Sequence, residues 1–236
     1  MIKSYSGEHM KIGILQTGLG PDVLVDEFGD YPDMFQVFLA GRGFTFETYR
    51  VLEGQFPDSI EACDGWLITG SKFGAYEDHA WIPPLEDFIR DVFTQKHPIV
   101  GVCFGHQIIA QALGGQVEKF KGGWKVGRQS YSTGDDQLTL NAYHQDQVIT
   151  PPPSATRILG NEHCKNAVIY YGDTALTVQP HPEFSSDFVK ALIDARGIGV
   201  IAPEILQSAR DGLLPDVDAQ KVADMFEAVL KGRKNS

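Results

Sequence analysis

The sequence predicts an α/β fold, with a mostly parallel central sheet flanked by helices and carrying an antiparallel strand extension. Three observations predict it. Short apolar runs rich in β-branched residues alternate with amphipathic stretches of helical period, as a parallel sheet wrapped by helices requires. The run 98–102 (Pro-Ile-Val-Gly-Val) is too short and too apolar for anything but a central strand buried on both faces. Residues 117–148 then change texture, to Gly-rich, polar pieces at 125–130 and 137–143 that read as antiparallel hairpins appended to the sheet.

Taken in order, residues 11–16 form a buried first strand bounded by the Gly/Pro cluster at 18–21. A helical stretch follows, with Met34, Phe35, Phe38 and Leu39 on one face, and Gly41 and Gly43 supply its stop because glycine tolerates the left-handed conformation of a helix end. Residues 44–51 alternate as a second strand, and 64–69 make a third that ends in Gly70. The next helix spans 83–95, with Leu85, Phe88, Ile89, Val92 and Phe93 as its apolar stripe. After the central strand comes a helix at 107–113; a buried strand resumes at 175–179 and a helix follows at 184–195. A helical pattern closes the chain at 217–230, where Val222, Met225, Phe226 and Val229 recur at i, i+3, i+4, i+7. Pro151, Pro152 and Pro153 form a stiff local turn. The expected organisation is one domain at 10–196, a helical extension at 197–236, and a leader or alternative start at 1–9.

With 236 residues, 42% hydrophobic and 22% charged, the chain is globular in composition. A formal net charge of −11 repels phosphate backbones and anionic bilayers, so neither nucleic acid nor membrane is an expected partner. Lys119, Lys121, Lys125 and Arg128 cluster, and read as a solvated face. No run approaches the ~18 apolar residues of a membrane helix, and no charged-then-apolar leader opens the chain, so the expected address is cytoplasmic. Cys63, Cys103 and Cys164 have the spacing of neither a disulfide framework nor a zinc site, and no cofactor or metal is expected.

Chemistry concentrates in Gly101-Val102-Cys103-Phe104-Gly105-His106-Gln107, where the central strand hands over to a helix. A nucleophile on such a corner needs small neighbours, because the tight turn brings backbones together. The free N–H groups and positive dipole end of the helix favour thiolate, and can lower a cysteine pKa from ~8.5 to roughly 3.5–7.5. A free cysteine often does no more than pack. The second piece, Gln179-Pro180-His181-Pro182-Glu183, follows another strand and precedes a helix. In an extended stretch the His181 and Glu183 side chains point the same way, so the carboxylate can hold the imidazole in the tautomer that accepts a thiol proton.

These residues resemble the class I glutamine amidotransferases, whose triad is a Cys in G-x-C-x-G-x-Q followed far downstream by His-x-Glu. Gly101, Cys103, Gly105 and Gln107, then His181 and Glu183, carry the match. Ile68-Thr69-Gly70-Ser71 stands where the family places an oxyanion loop, and His144-Gln145-Asp146 looks like the H-x-D segment of the GMP-synthetase-like branch. The resemblance covers roughly 11–195 and implies a flavodoxin-like core in a stand-alone amidotransferase domain. It further implies that Cys103 attacks the γ-carboxamide of glutamine or a γ-glutamyl compound to give a thioester, that His181 moves the proton, that Glu183 orients His181, and that water releases glutamate. Candidate oxyanion donors are the backbone N–H groups of Phe104 and of the Gly70/Ser71 turn; Gln107, His144 and Asp146 are candidates for the substrate's amino-acid end. Where many relatives carry two glycines and a proline in the oxyanion loop, this chain has Gly70-Ser71-Lys72-Phe73, which together with Ala75-Tyr76-Glu77-Asp78 and Trp81-Ile82 is more like the stand-alone hydrolases.

Four readings follow. The first is a glutaminase whose ammonia is used by a separate synthetase subunit. The second is a γ-glutamyl peptide hydrolase with no ammonia acceptor. The third is a non-catalytic binding or regulatory module, against which the intact Cys103, His181 and Glu183 argue. The fourth is a serine-hydrolase-like fold with a cysteine nucleophile, in which the acid ordinarily precedes the histidine. Outside the constellation, Glu162-His163-Cys164 reads as structural, since neighbouring side chains in a strand diverge; His79 beside Trp81 reads as a loop histidine, and Gly18-Leu19-Gly20 as a turn.

Overall fold

The computed structural model describes residues 9–133, 136–214 and 217–233; the leader segment 1–8 lies outside them. Its core is a seven-stranded sheet. The parallel part comprises β1 (Met10–Leu15), β2 (Phe44–Tyr49), β3 (Gly65–Ile68), β4 (Ile99–Val102) and β11 (Ala175–Val178), and the antiparallel strands β9 (Arg157–Leu159) and β10 (Val168–Tyr171) complete it. The strand order is β2-β1-β3-β4-β11-β10-β9. As expected for the central run, every residue of β4 is buried, and so is every residue of β3 and β11. Helices α1 (Asp22–Phe28), α2 (Tyr31–Phe38), α3 (Ile82–Thr94), α4 (Phe104–Ala112) and α5 (Ser186–Leu192) flank the sheet. Strand order reverses at β1, so β3, β4 and β11 lie side by side with their carboxyl ends on one edge, where open α/β sheets place their ligands.

Three features depart from the sequence expectations. The polar hairpin region pairs among itself as two separate ladders, β5 (Gln116–Lys119) with β8 (Asp146–Thr150), and β6 (Lys125–Thr133) with β7 (Asp136–His144). It meets the main sheet only through the isolated bridges Ser132↔Gly160 and Asn141↔His181 among the described residues. The antiparallel strands that do extend the main sheet are β9 and β10, to which the sequence pattern assigns no strand. Glu162, His163 and Cys164 lie in a turn rather than a strand, because the Asn161 side-chain oxygen accepts from the backbone N–H groups of both His163 and Cys164.

Helix boundaries also move. The helix expected from 107 begins at Phe104, and the one expected through 195 gives way after Leu192 to a π-helical turn, Ile193–Gly197. A further helix, α6 (Pro203–Gly212), buries only Leu206 and Ala209 and so leaves little apolar period to read. The closing helix, α7 (Ala219–Leu230), buries Val222, Phe226 and Val229 in the same cluster as Ile12, Val100 and Leu176. Phe226 meets Phe38 edge-on at 6.1 Å, and Arg42 donates to Asp224 at 2.7 Å and Glu227 at 2.8 Å. The tail thus covers one face of its own sheet.

Candidate active site

Cys103 caps α4 with φ 53° and ψ −101°, a left-handed backbone that a residue with a Cβ adopts only under strain. Tertiary contacts hold it there: Cys103 N–H donates to the Val178 carbonyl at 2.9 Å, and Gln107 N–H to the Cys103 carbonyl at 3.0 Å. The two flanking glycines are required by space. A Cβ on Gly101 would lie 2.7 Å from the Gly105 carbonyl carbon and oxygen, and one on Gly105 would lie 2.3 Å from the Ile68 carbonyl oxygen. Backbones of β3, β4 and α4 therefore meet at the elbow, and Gly105→Ala is expected to cost about 1–3 kcal/mol of stability. A thermal melt checks this; an unchanged Tm would show that the elbow can open without loss.

His181 enters from the end of β11. Its backbone N–H donates to the Asn141 carbonyl at 2.8 Å, and the Asn141 side chain donates to the Phe184 carbonyl at 3.0 Å. Phe184 in turn stacks on the imidazole, with ring centroids 3.9 Å apart and planes within 3°. The ring is thus fixed in position and plane. His181 Nδ1 donates to Glu183 Oε1 at 2.7 Å, and the other side of the ring is in hydrogen-bonding reach of the Cys103 thiol. A Cβ placed on Gly70 would lie 3.0 Å from His181 Cε1 and 3.7 Å from Cys103 Cβ, so thiol and imidazole converge directly over Gly70. Burial by itself lowers the His181 pKa; the Glu183 carboxylate, and after it Cys103, overrule burial and push it up to about 10. The imidazolium is the favoured form of this ring at neutral pH.

Gly70 and Ser71 are supported from behind by the end of β1, a support that sequence reading misses. Thr17 Oγ1 donates to the Thr69 carbonyl at 3.0 Å, and a Cβ on Gly18 would lie 2.7 Å from the Gly70 oxygen and the Ser71 Cα. Gly18 is therefore more than a turn residue; it lets the loop beside the thiol sit tightly. Phe104 occupies the first helical position, where its N–H has no acceptor within the helix.

Cys103, His181, Ser71, Gln107, His144 and Asp146 all line one cleft of about 570 Å³. Gln107 is buried, and its amide nitrogen donates to the Asp146 carbonyl at 2.9 Å and to Gln179 Oε1 at 3.0 Å, leaving only its oxygen for a ligand. Asp146 accepts from the Tyr76 hydroxyl at 3.0 Å, and burial raises its carboxyl pKa. His144 is buried with both ring nitrogens unpaired; burial, assisted by repulsion from His181, pushes its pKa down to about 3, so the ring is neutral. His106 lies within the elbow motif but turns to β11, where its Nδ1 meets Thr177 Oγ1 at 2.8 Å. His79 sits in a loop, stacked on Trp81 and 2.9 Å from Glu77. Among the described residues no three His, Cys, Asp or Glu side chains gather as a metal site would, and no helix is long and apolar enough to cross a membrane.

A strained elbow cysteine at a strand end, beside a carboxylate-bound histidine from the neighbouring strand, is the architecture of an α/β hydrolase of cysteine type. Residues 38–193 match the family model described as glutamine amidotransferase class-I. The chain is 28% identical over 240 residues to Gamma-glutamyl peptidase 2 of Arabidopsis thaliana, covering 95% of this chain and 97% of that one. It is 34% identical over 173 residues to the glutamine-hydrolyzing subunit of the GMP synthase of Halobacterium salinarum, covering 68% of this chain and 87% of the relative. A solved glutamine amido transferase of Methylobacillus flagellatus shares the fold, with a TM-score of 0.72 at 24% identity over 98% of this chain and 97% of that one. The chain belongs to the class I glutamine amidotransferase family, whose membership implies a glutamine or γ-glutamyl substrate.

Proposed function

We propose that this protein hydrolyses γ-glutamyl amides through a γ-glutamyl thioester on Cys103. The observation that carries the reading is the 2.7 Å bond from His181 Nδ1 to Glu183, on a ring whose other side reaches the thiol of a strained elbow. Cys103 Sγ, as thiolate, attacks the γ-carbonyl carbon, and the carbonyl electron pair moves to oxygen. The backbone N–H groups of Phe104 and of the Gly70/Ser71 turn receive that charge; losing one such donor typically costs about 2.7–4 kcal/mol of barrier. As the C–N bond breaks, His181 passes its proton to the departing nitrogen and ammonia or an amine leaves. His181, now neutral, takes a proton from water, whose oxygen attacks the thioester; glutamate leaves and the thiolate–imidazolium pair returns. Glu183 holds the ring in register throughout. Asp146, with His144 and the Gln107 oxygen, takes the amino-acid end of the glutamyl group.

Hydrolysis without an ammonia client is favoured by likeness over nearly full length to a protein named gamma-glutamyl peptidase. Likeness to part of a GMP synthase favours a second reading, in which a separate synthetase subunit receives the ammonia. Incubating the isolated protein with glutamine and a panel of γ-glutamyl amides and peptides, and following released glutamate, tests both. Turnover of γ-glutamyl peptides by the isolated chain is the expected result. Glutaminase activity that appears only when a synthetase subunit is present would establish the second reading instead.

A further inference from the structure

The cleft has two ends of different chemistry, which meet at Cys103 and His181. One is polar: Tyr76 donates to Asp146, Gln107 holds the Asp146 backbone, and Lys119 stands opposite Asp146 in the β5–β8 ladder. The other is apolar. Trp124 and Tyr143 pack edge to face at 5.8 Å against the cluster that contains Tyr31, Phe184 and Leu192, and Ile198 and Val200 extend that surface into the cleft. His181 joins the two ends, its ring stacked on Phe184 of the apolar end and facing His144 of the polar one.

Ile198 and Val200 are each 66% exposed. A scattered exposed aliphatic side chain needs no explanation, but two on one short segment, both bordering the cleft beside Trp124 and Tyr143, form a patch that a ligand can cover. The backbone holds them there. The π-helical turn Ile193–Gly197 ends α5 early, and π-turns concentrate at functional sites. Gly197 fits against α6, where a Cβ would lie 3.0 Å from Leu206 Cδ2 and 3.4 Å from the Tyr143 hydroxyl. Gly199 has φ +81°, so the two aliphatic residues flank a turn closed by a left-handed glycine. Arg196 ties the segment down by donating to the Leu19 carbonyl at 3.0 Å.

In a γ-glutamyl amide the glutamyl group and the amine lie on opposite sides of the carbonyl that Cys103 attacks. With the glutamyl end at Asp146, the amine faces Trp124, Tyr143, Ile198 and Val200. Ammonia, the leaving group of glutamine, would touch none of this surface. Resting on the proposed thioester hydrolysis, we infer that the apolar end is a leaving-group subsite and that the substrates are γ-glutamyl amides of bulky aromatic or branched amines and amino acids.

The test compares kcat/KM for γ-glutamylphenylalanine and γ-glutamylmethylamide with the full chain and with the Ile198→Ser/Val200→Ser variant. The expected ratio is about tenfold or more in favour of the bulky amide, collapsing by about tenfold in the variant, the scale of losing a hydrophobic pocket contact. The ratio is internal to each preparation, so a smaller folded fraction cannot mimic its collapse; Ile198→Ser alone, with an intermediate ratio expected, covers a double variant that fails to fold. Equal efficiency on the two amides, or a ratio that the substitutions leave unchanged, overturns the subsite and spares the hydrolysis. If neither amide releases glutamate, the hydrolysis itself fails and this inference falls with it.

Discussion

Cys103→Ala is expected to lower γ-glutamyl hydrolysis by at least about 10⁴-fold, the scale seen when a nucleophile is removed from a coupled catalytic unit. The fold should survive. Cys103 is buried against Val102 and Val178, and alanine keeps the Cβ that the elbow already accommodates at φ 53°. Backbone strain is the same for both residues, so the change removes one sulfur from a site that opens to the cleft. Glutamate release and a thermal melt, measured on one preparation, check both halves. A variant that hydrolyses at a comparable rate would place the nucleophile elsewhere. One that unfolds would show that the thiol is part of the elbow's packing.

Glu183→Gln is expected to lower kcat/KM by roughly 10²–10⁴-fold and to move its alkaline limb to lower pH. The sign follows from what surrounds His181. Burial lowers its pKa and Glu183 is the largest influence raising it, so an uncharged amide leaves burial to prevail. The imidazolium that protonates the leaving nitrogen is then lost at lower pH. Stability moves with it: a histidine raised in the fold from ~6.5 contributes stability that is fully present below that unfolded value and lost as pH rises through the folded one, about 10 here. The difference in Tm between the parent protein and Glu183→Gln should therefore be largest in mildly acidic solution and shrink as pH rises toward 10. On the acid side the rate should fall as the Cys103/His181 pair gains a proton, a property of the pair rather than of either residue. A profile flat through mildly acidic pH, or an alkaline limb that Glu183→Gln leaves in place, would contradict the pair as the working unit.

Much of this arrangement is legible in the sequence because its causes are local. A strand that must be buried on both faces shows as an unbroken apolar run, as at Ile99–Val102, and a strand-to-helix corner without room for side chains shows as Gly101 and Gly105 around Cys103. The His181–Glu183 bond spans only two residues, so spacing alone suggests it. What the sequence hides depends on distant partners. Thr17 and Gly18 matter because β1 ends beside the loop after β3, and Asn141 and Phe184 because one short bridge brings β7 against His181. His106 sits in the middle of the elbow motif and still faces away from the cleft, since helical geometry turns it toward Thr177. Gln107 illustrates the same limit from the other side: the motif points to a ligand, whereas its amide nitrogen is committed to Asp146 and Gln179. The β5–β8 and β6–β7 ladders have turn-rich, polar sequences that mark hairpins, but nothing local tells a separate ladder from an edge of the main sheet.

Trapping the acyl group decides whether Cys103 carries the reaction. The protein is mixed with a γ-glutamyl amide, quenched in acid within the first turnover, digested and mapped by mass spectrometry, which distinguishes Cys103 from the buried Cys63 and Cys164. The expected product is a γ-glutamyl group on the peptide bearing Cys103, absent from Cys103→Ala and accumulating in the slowed Glu183→Gln background when deacylation is the slower step. The group on Cys63 or Cys164, or full turnover with no acyl group on any cysteine at any quench time, would contradict thioester chemistry at the elbow.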